Sequence, residues 1–320
     1  MSAGTERAAR VAEDAAAAIH AVVSPRLGAL DGRVRVGVAP GGDATLAIDV
    51  AAEKELERVV RAAGNLAYYS EDAGLVRVGT PEAILVVDPI DGTRPAAAGF
   101  EACVVSVAVV PPDEDATFDD ITFGVVHELK SGAVFRAGKG AGATANSAAG
   151  ASIDLRCSPN ADPASMYWAS GQRGRPLMPV SIVLEELVDG GHLGGGYFDL
   201  GSAAYLLTRL ATGQLDAYVD PGARIVAEVP STRPAFVRVG EGEVLTNFPY
   251  DVAAAVVIAR EAGAVVTLAD GRPLADRPVV GSGPDFGVAI LGAANPALHE
   301  LLLAALDRGI ARLRDSEARA

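Results

Sequence analysis

Ile84-Leu85-Val86-Val87-Asp88-Pro89-Ile90-Asp91-Gly92-Thr93 reads as an apolar strand that runs into two acids and a turn. The aliphatic run 84–87 favours extended backbone. Pro89 then withdraws a backbone donor, and Gly92 permits a tight change of direction into whatever follows. Asp88 and Asp91 can therefore face one point. Hard cations such as Mg²⁺ prefer oxygen ligands, and a short carboxylate-bearing turn supplies them together with an exposed carbonyl, here that of Ile90. The amides of Gly92 and Thr93 are placed to hold phosphate oxygens, as at a helix N-terminus. Taken alone, the string fits equally well a turn in which both aspartates satisfy local backbone donors.

Upstream, a short extended segment at 66–70 ends in Glu71-Asp72, so two successive strands deliver acids at their carboxyl ends. Before it, Leu46, Val50, Leu56 and Val60 form the stripe of a helix over about 45–63, stopped by Gly64-Asn65. Asp49 and Glu53 fall within or beside that stripe. A carboxylate on the buried side of a helix is costly unless it is paired, protonated or near a cation, which makes Asp49 an anomaly to be explained. An opening amphipathic helix (Ala8, Val11, Ala12, Ala15, Ile19, Val22) closes at Ser24-Pro25.

Downstream, 103–110, 121–127 and 133–137 read as strands, the last two joined as a hairpin through Leu129-Lys130-Ser131-Gly132. The Gly/Ala/Ser/Asn-rich stretch 138–162 suits a chain crossing between subdomains, with the boundary near Ile153: an N-terminal α+β subdomain over 1–153 and a C-terminal α/β subdomain over 154–320. Beyond it, helices are expected at 180–188, 202–212, 251–262 and 296–313, and strands at 216–219, 265–268 and 286–291. The alternation argues for an α/β arrangement.

The chain has 320 residues, 50% of them hydrophobic, and a formal charge of −14, enough for a large core and the wrong sign for nucleic acid or an anionic membrane. An acidic protein with an anionic substrate needs a local device that reverses its field, and metal ions are the usual one. The cysteines, Cys103 and Cys157, cannot build a disulfide framework. Residues 1–13 lack the basic start and apolar stretch of a signal peptide, and no segment is long enough to span a bilayer, so the cytoplasm is the expected location. His20, His127, His192 and His299 show no ligand spacing.

The string 88–93 resembles the signature of the inositol monophosphatase superfamily, Asp-Pro-(Ile/Leu)-Asp-Gly-(Thr/Ser) after a strand. Three further matches follow in order. Tyr69-Ser70-Glu71-Asp72 is similar to the family's upstream acidic pair. Tyr250-Asp251-Val252-Ala253-Ala254-Ala255 through Glu261-Ala262-Gly263 is similar to its downstream motif, in which Trp-Asp opens a helix. Gly201-Ser202-Ala203-Ala204, with 211–218, is similar to its substrate-side segment. The likeness runs from about 43 to 303.

The resemblance implies a layered α/β/α/β/α sugar-phosphatase fold, a homodimer, lithium sensitivity and a site for two or three Mg²⁺ ions. It implies that Glu71, Asp88 and the Ile90 carbonyl hold a first ion, that Asp88 bridges to a second completed by Asp91 and Asp251, and that Glu71 orients a third. The ions would neutralise the phosphate, stabilise the leaving alkoxide and lower the pKa of a bound water. Thr93, paired with Asp49, would position and deprotonate the attacking water, which gives the buried acid a purpose. Each residue has a plainer reading by itself: Asp251 a helix cap, Glu71 a strand-end surface acid, Thr93 turn filler. Gly92, Thr93, Gly201, Ser202 and Asp220 are the substrate-side candidates, Asp220 equally a strand terminator.

Three features depart from the family pattern. Arg94-Pro95-Ala96-Ala97 follows Thr93 in place of a polar residue and Asn-Phe; Arg94 either contacts substrate or points to solvent. Asp72 replaces a glutamate. Between Asp220 and Asp251, where the family has a short connection, 221–250 is an insertion, read as a hairpin of 235–239 and 244–245 around Gly240-Glu241-Gly242. The expected reaction is hydrolysis of a small phosphate monoester, an inositol or related sugar phosphate. Fructose 1,6-bisphosphate and a 3′-phosphonucleotide are alternative substrates, and a non-catalytic metal- and phosphate-binding regulator is the alternative of another class.

Overall fold

The computed structural model describes residues 3–191 and 193–319; His192 lies outside the described residues. The chain opens with α1 (Ala3–Val23), a small antiparallel hairpin β1–β2 (Arg35–Val38 and Ala44–Leu46) and α2 (Ala47–Ala63). A large mixed sheet follows: β3 (Leu66–Ser70), β4 (Gly74–Val78), β5 (Ile84–Asp91), then α3 (Thr93–Ala98), then β6 (Val104–Val110), β7 (Phe123–Glu128), β8 (Val134–Gly138), β9 (Gly142–Asn146) and β10 (Ser152–Ile153). Its spatial order is β10-β9-β8-β7-β6-β5-β3-β4, with only β3 and β5 parallel.

The second sheet takes β11 (Tyr167–Ser170), β12 (Gly196–Phe198) after α4 (Leu177–Gly190), and β13 (Ala217–Asp220) after α5 (Ala203–Ala211). After α6 (Gly222–Glu228), α7 (Arg233–Val239) and α8 (Pro249–Glu261) come β14 (Val265–Leu268), β15 (Ile290–Ala293) and α9 (Pro296–Glu317). Its order is β12-β11-β13-β15-β14.

The apolar run of β5 is continuous because both faces of the large sheet are covered. Leu85 and Val87 face α1 and α2, joining Ile19, Leu56 and Val60; Ile84 and Val86 face the opposite way, into a core shared with α5 and α8. That shared core reaches Tyr218 and Ile290 of the second sheet, whose far face carries Trp168, Val219 and Leu291 against α4, α6, α7 and α9. The result is the five-layer α/β/α/β/α arrangement the sequence implied. The central helix α8 is buried on nearly every side, and it lies so close to β7 that a Cβ on Gly124 would sit 2.7 Å from the Ala254 carbonyl oxygen. Among the described residues no helix is long and apolar enough to cross a membrane. Cys103 and Cys157 are both free thiols.

Several elements differ from the sequence reading. The stretch 138–162 carries β9 and β10, which extend the large sheet at its edge. The strand expected at 286–291 is confined to Ile290–Ala293, after a 3₁₀ turn at Pro284–Phe286. The hairpin expected within 221–250 does not form: α6, a 3₁₀ turn (Pro230–Thr232) and α7 occupy the segment instead. Ile225, Val229, Thr232 and Phe236 are all buried, and their spacing of four, three and four is the helical period, while Pro at the start of α7 is well tolerated there.

A titratable contact lies in the first layer. His20 of α1 stacks on His127 of β7, ring centroids 4.3 Å apart and 4° from parallel. Burial, with His20 and Arg136 nearby, pushes His127 down to about 4. The unfolded chain takes up this proton near 6.5 and the folded one only near 4, so stability is complete above 6.5 and is lost as pH falls toward 4. The loss amounts to roughly 3 kcal/mol for His127. Melting temperature from pH 7 to 4.5 should trace that limb, and His127→Phe should flatten it; an unchanged limb in the variant would place the acid loss elsewhere.

Candidate active site

Parallel pairing of β3 with β5 sets Ser70 beside Val87, so the ends of both strands reach the same edge of the sheet. Opposite β6, the register of β5 slips between Asp88 and Asp91: Asp88 pairs with Ser106 and Asp91 with Val104. This bulge falls where Pro89 has no N–H to give. It aims Asp88 and Asp91 toward the N-terminus of α8, where Asp251 sits in the first turn. One carboxylate oxygen from each of Asp88, Asp91 and Asp251 lies within 4.8 Å of the others. Gly92 completes the turn at φ 90°, ψ 44°, and a Cβ there would stand 2.4 Å from the Ala102 carbonyl oxygen, so no other residue fits.

Each aspartate is anchored through one oxygen. Asp88 Oδ1 accepts from the Ile90 amide at 2.9 Å, and Asp251 Oδ2 from the Phe248 amide at 2.5 Å. Asp91 Oδ2 accepts from the Ser202 hydroxyl at 2.7 Å and the Ala204 amide at 2.6 Å. Asp251 is thus the helix cap that its position suggested and also a member of the cluster. Burial raises all three, and repulsion adds to it for two: Asp88 lies well above the carboxylate range through burial, Glu71 and Asp91, and Asp91 rises to about 8, where burial and Asp251 outweigh its hydrogen bonds, while Asp251 rises to about 6 by burial alone, against the Phe248 amide and Arg173. Glu71 is outside the 4.8 Å grouping but lines the same cleft, and burial followed by Asp251 raises it strongly.

Behind the turn, Thr93 donates to the Ile90 carbonyl at 3.1 Å, leaving that oxygen a second lone pair. Asp49, 6% exposed, accepts from the Leu46 amide through Oδ2 at 2.7 Å, while its Oδ1 is buried without a hydrogen bond. Capping α2 therefore explains half of the anomalous acid. Burial raises Asp49 to about 7 against the Leu46 amide. Neighbouring Glu53 accepts from Ser70 at 2.7 Å, which ties α2 to the residue before Glu71.

The remaining candidates divide. Gly92, Gly201 and Ser202 line the cleft, Ser202 with its hydroxyl turned to Asp91. Asp220 does not line it. It is fully buried at the end of β13, paired with Arg175 through Oδ2 and with the Gly222 amide through Oδ1 at 2.8 Å, the placement that goes with the strand-terminator reading. Arg94 is half exposed and outside the cleft, with Asp43 Oδ1 3.8 Å away. Sequence reading missed Asp43, Arg173, Arg175, Asp199 and Asn247, all of which line the cleft. The one signal for them was Gly171-Gln172-Arg173-Gly174-Arg175 at the end of a strand. The segment 221–250 reaches the cleft only at its end, through Leu245, Thr246, Asn247, Phe248 and Tyr250.

With this geometry in place, the comparisons decide the family: the model described as the inositol monophosphatase family matches residues 5–311. The chain belongs to the inositol monophosphatase family. It is a phosphatase of that family. A fructose-1,6-bisphosphatase/inositol-1-monophosphatase of Methanothermobacter thermautotrophicus is 28% identical over 94% of this chain and 95% of its own length. An inositol-1-monophosphatase of Mycobacterium leprae is 31% identical over 72% of this chain and 65% of its own. Among solved structures, the extragenic suppressor protein suhB of Bartonella henselae superposes with a TM-score of 0.70 at 21% identity, covering 94% of this chain and 98% of the other.

Proposed function

We propose that this inositol-monophosphatase-family protein is a Mg²⁺-dependent phosphomonoesterase that hydrolyses a small inositol or related sugar phosphate with water and no covalent intermediate. The observation that carries the reading is the convergence of Asp88, Asp91 and Asp251 within 4.8 Å at the floor of a cleft. Three like charges at that separation, two of them buried, persist only with protons or a cation between them, and an all-oxygen set suits a hard cation. Asp88, Asp91, Asp251, Glu71 and the Ile90 carbonyl would hold Mg²⁺, two or three ions in all. Bound there, Mg²⁺ supplies Lewis-acid neutralisation of the phosphate and a more acidic water.

The chain's own residues do the rest. Gly92 and Thr93 bring backbone amides to the phosphate. Thr93 orients the attacking water with its hydroxyl, and Asp49, raised to about 7 by burial, takes up the water's proton near neutral pH. Ser202 fixes Asp91. We further read the chain as two closely packed subdomains, 1–153 and 154–320, with Asp251 entering the cluster from the second.

Phosphate release from a panel of inositol, sugar and nucleotide monophosphates, with and without Mg²⁺, tests this. Release from a sugar or inositol ester only with Mg²⁺ is expected. No release from any ester, with binding intact, would make the protein a regulator instead.

A further inference from the structure

Two acids beside the cleft are left over once the reaction has been assigned, Glu53 and Asp72, and neither lines the cleft. Glu53 sits one turn beyond Asp49 on the same face of α2. Its Oε1 accepts from the Ser70 hydroxyl at 2.7 Å, while its Oε2 is buried without a hydrogen bond. Ser70, itself fully buried, passes the contact on: its Oγ accepts from the Ala73 amide at 3.2 Å, which closes the turn of Glu71, Asp72 and Ala73 between β3 and β4. On the other side of Glu71, Asp72 Oδ1 accepts from the Thr45 hydroxyl at 2.5 Å, and Thr45 lies in β2, two residues ahead of α2. The helix that carries Asp49, with the strand leading into it, therefore grips both the residue before Glu71 and the residue after it.

For stability alone a plainer arrangement exists. A buried carboxylate oxygen without a partner is destabilising, and apolar side chains of similar shape in place of Glu53 and Ser70 would pack without that penalty. Glu71 supplies a reason for keeping the polar pair. Asp88, Asp91 and Asp251 are each anchored by hydrogen bonds to their own carboxylates and stand within 4.8 Å of one another. Glu71 lies outside that grouping, and its anchors are on the residues flanking it. A carboxylate that meets a cation across a gap depends on the backbone carrying it, so hydrogen bonds that fix that backbone act on affinity by preorganisation.

We propose that Glu53, through Ser70, and Thr45, through Asp72, are positioning residues that hold Glu71 in place for the cation, so that they set the affinity for Mg²⁺ rather than the fold or the binding of substrate. The inference rests on the Mg²⁺-dependent reading above. It also gives the aspartate at 72, where the family pattern has a glutamate, a task of its own: it receives the Thr45 hydroxyl.

Calorimetric titration of the metal-free protein with Mg²⁺, together with melting temperatures in chelator, tests this in the wild type and in Glu53→Leu, Glu53→Gln, Ser70→Ala and Thr45→Val. Glu53→Leu, Ser70→Ala and Thr45→Val should each weaken Mg²⁺ binding about tenfold, whereas Glu53→Gln, whose carbonyl oxygen still accepts from Ser70, should stay within about twofold of wild type. Glu53→Leu combined with Ser70→Ala should melt no lower than wild type in chelator, which separates positioning from a merely structural role. Where the protein turns over an ester, the weakened variants should need more Mg²⁺ for half-maximal rate with an unchanged KM at saturating Mg²⁺. Ser70→Ala and Thr45→Val each exchange one hydroxyl and carry the test if Glu53→Leu does not fold. Wild-type Mg²⁺ affinity in these variants overturns the proposal, whatever their melting temperatures, and leaves the phosphatase reading intact. An equal loss in Glu53→Gln would trace the effect to charge and overturns it too. If the wild type itself takes up no Mg²⁺, the metal-dependent reading fails and the proposal falls with it.

Discussion

Asp91→Asn is expected to cut kcat/KM by about a thousandfold or more while the protein stays folded, a loss of about 4 kcal/mol of transition-state stabilisation. The substitution is conservative in shape. Asp91 Oδ2 accepts two hydrogen bonds, from the Ser202 hydroxyl and the Ala204 amide, and an asparagine carbonyl oxygen can keep both. What changes is the atom facing Asp88 and Asp251: a carboxylate oxygen becomes an amide N–H₂, which cannot ligate a cation. The shape-preserving swap separates chemistry from folding. Circular dichroism and the melting temperature without metal should show an intact fold, since one of three repelling charges is gone. Wild-type rates in this variant would refute the site.

How much of this was legible in the sequence depended on how strongly burial writes a pattern. The strand 84–87 splits its side chains alternately between two cores and is bounded by turn chemistry, so it read correctly, as did the stripes of α1 and α2. The outermost strands β9 and β10 lie at the edge of the sheet and are only partly covered, and their Gly, Ala, Ser and Asn residues look like a linker. The exposed hairpin β1–β2 left no pattern for the same reason. Within 221–250, short apolar runs looked like strands because Val and Phe suit either state; only the separations among Ile225, Val229, Thr232 and Phe236 carry the helical signal.

The site divides along similar lines. Asp88 and Asp91 are neighbours in one turn, so their convergence could be argued locally. Asp251 lies far along the chain, and its place was legible only through the family motif. Asp220 stayed open between a sugar contact and a strand terminator because nothing near it in sequence announces Arg175 as its partner. Arg173 and Asp43 were missed because tertiary structure alone brings them to the same cleft.

Metal-free protein is expected to lose thermal stability as pH rises from 5 to 9, by roughly 5–10 °C, and Mg²⁺ should restore it. The sign follows from the direction of the shifts. Burial raises the folded carboxyl groups above their ordinary values, Asp251 to about 6 and, with repulsion from Asp251 added, Asp91 to about 8. Such groups favour the folded state below the unfolded value near 3.8, and that contribution is lost as pH rises through the folded values. The His20–His127 pair acts in the opposite sense on the acid side, so the metal-free protein should be most stable in a mildly acidic window between the two limbs. A cation that binds only the folded cluster substitutes for the missing protons, flattening the alkaline limb. Asp88→Asn isolates the cause. Its carbonyl oxygen can still accept from the Ile90 amide, yet it removes a charge from the centre of the cluster, so it should melt higher than wild type in chelator at pH 8 and gain little from Mg²⁺. A wild-type response to Mg²⁺ in that variant would mean that the three aspartates do not hold the ion. An alkaline limb that survived in both Asp88→Asn and Asp91→Asn would assign the repulsion to Glu71, Asp49 and Asp72, whose charges also press on one another.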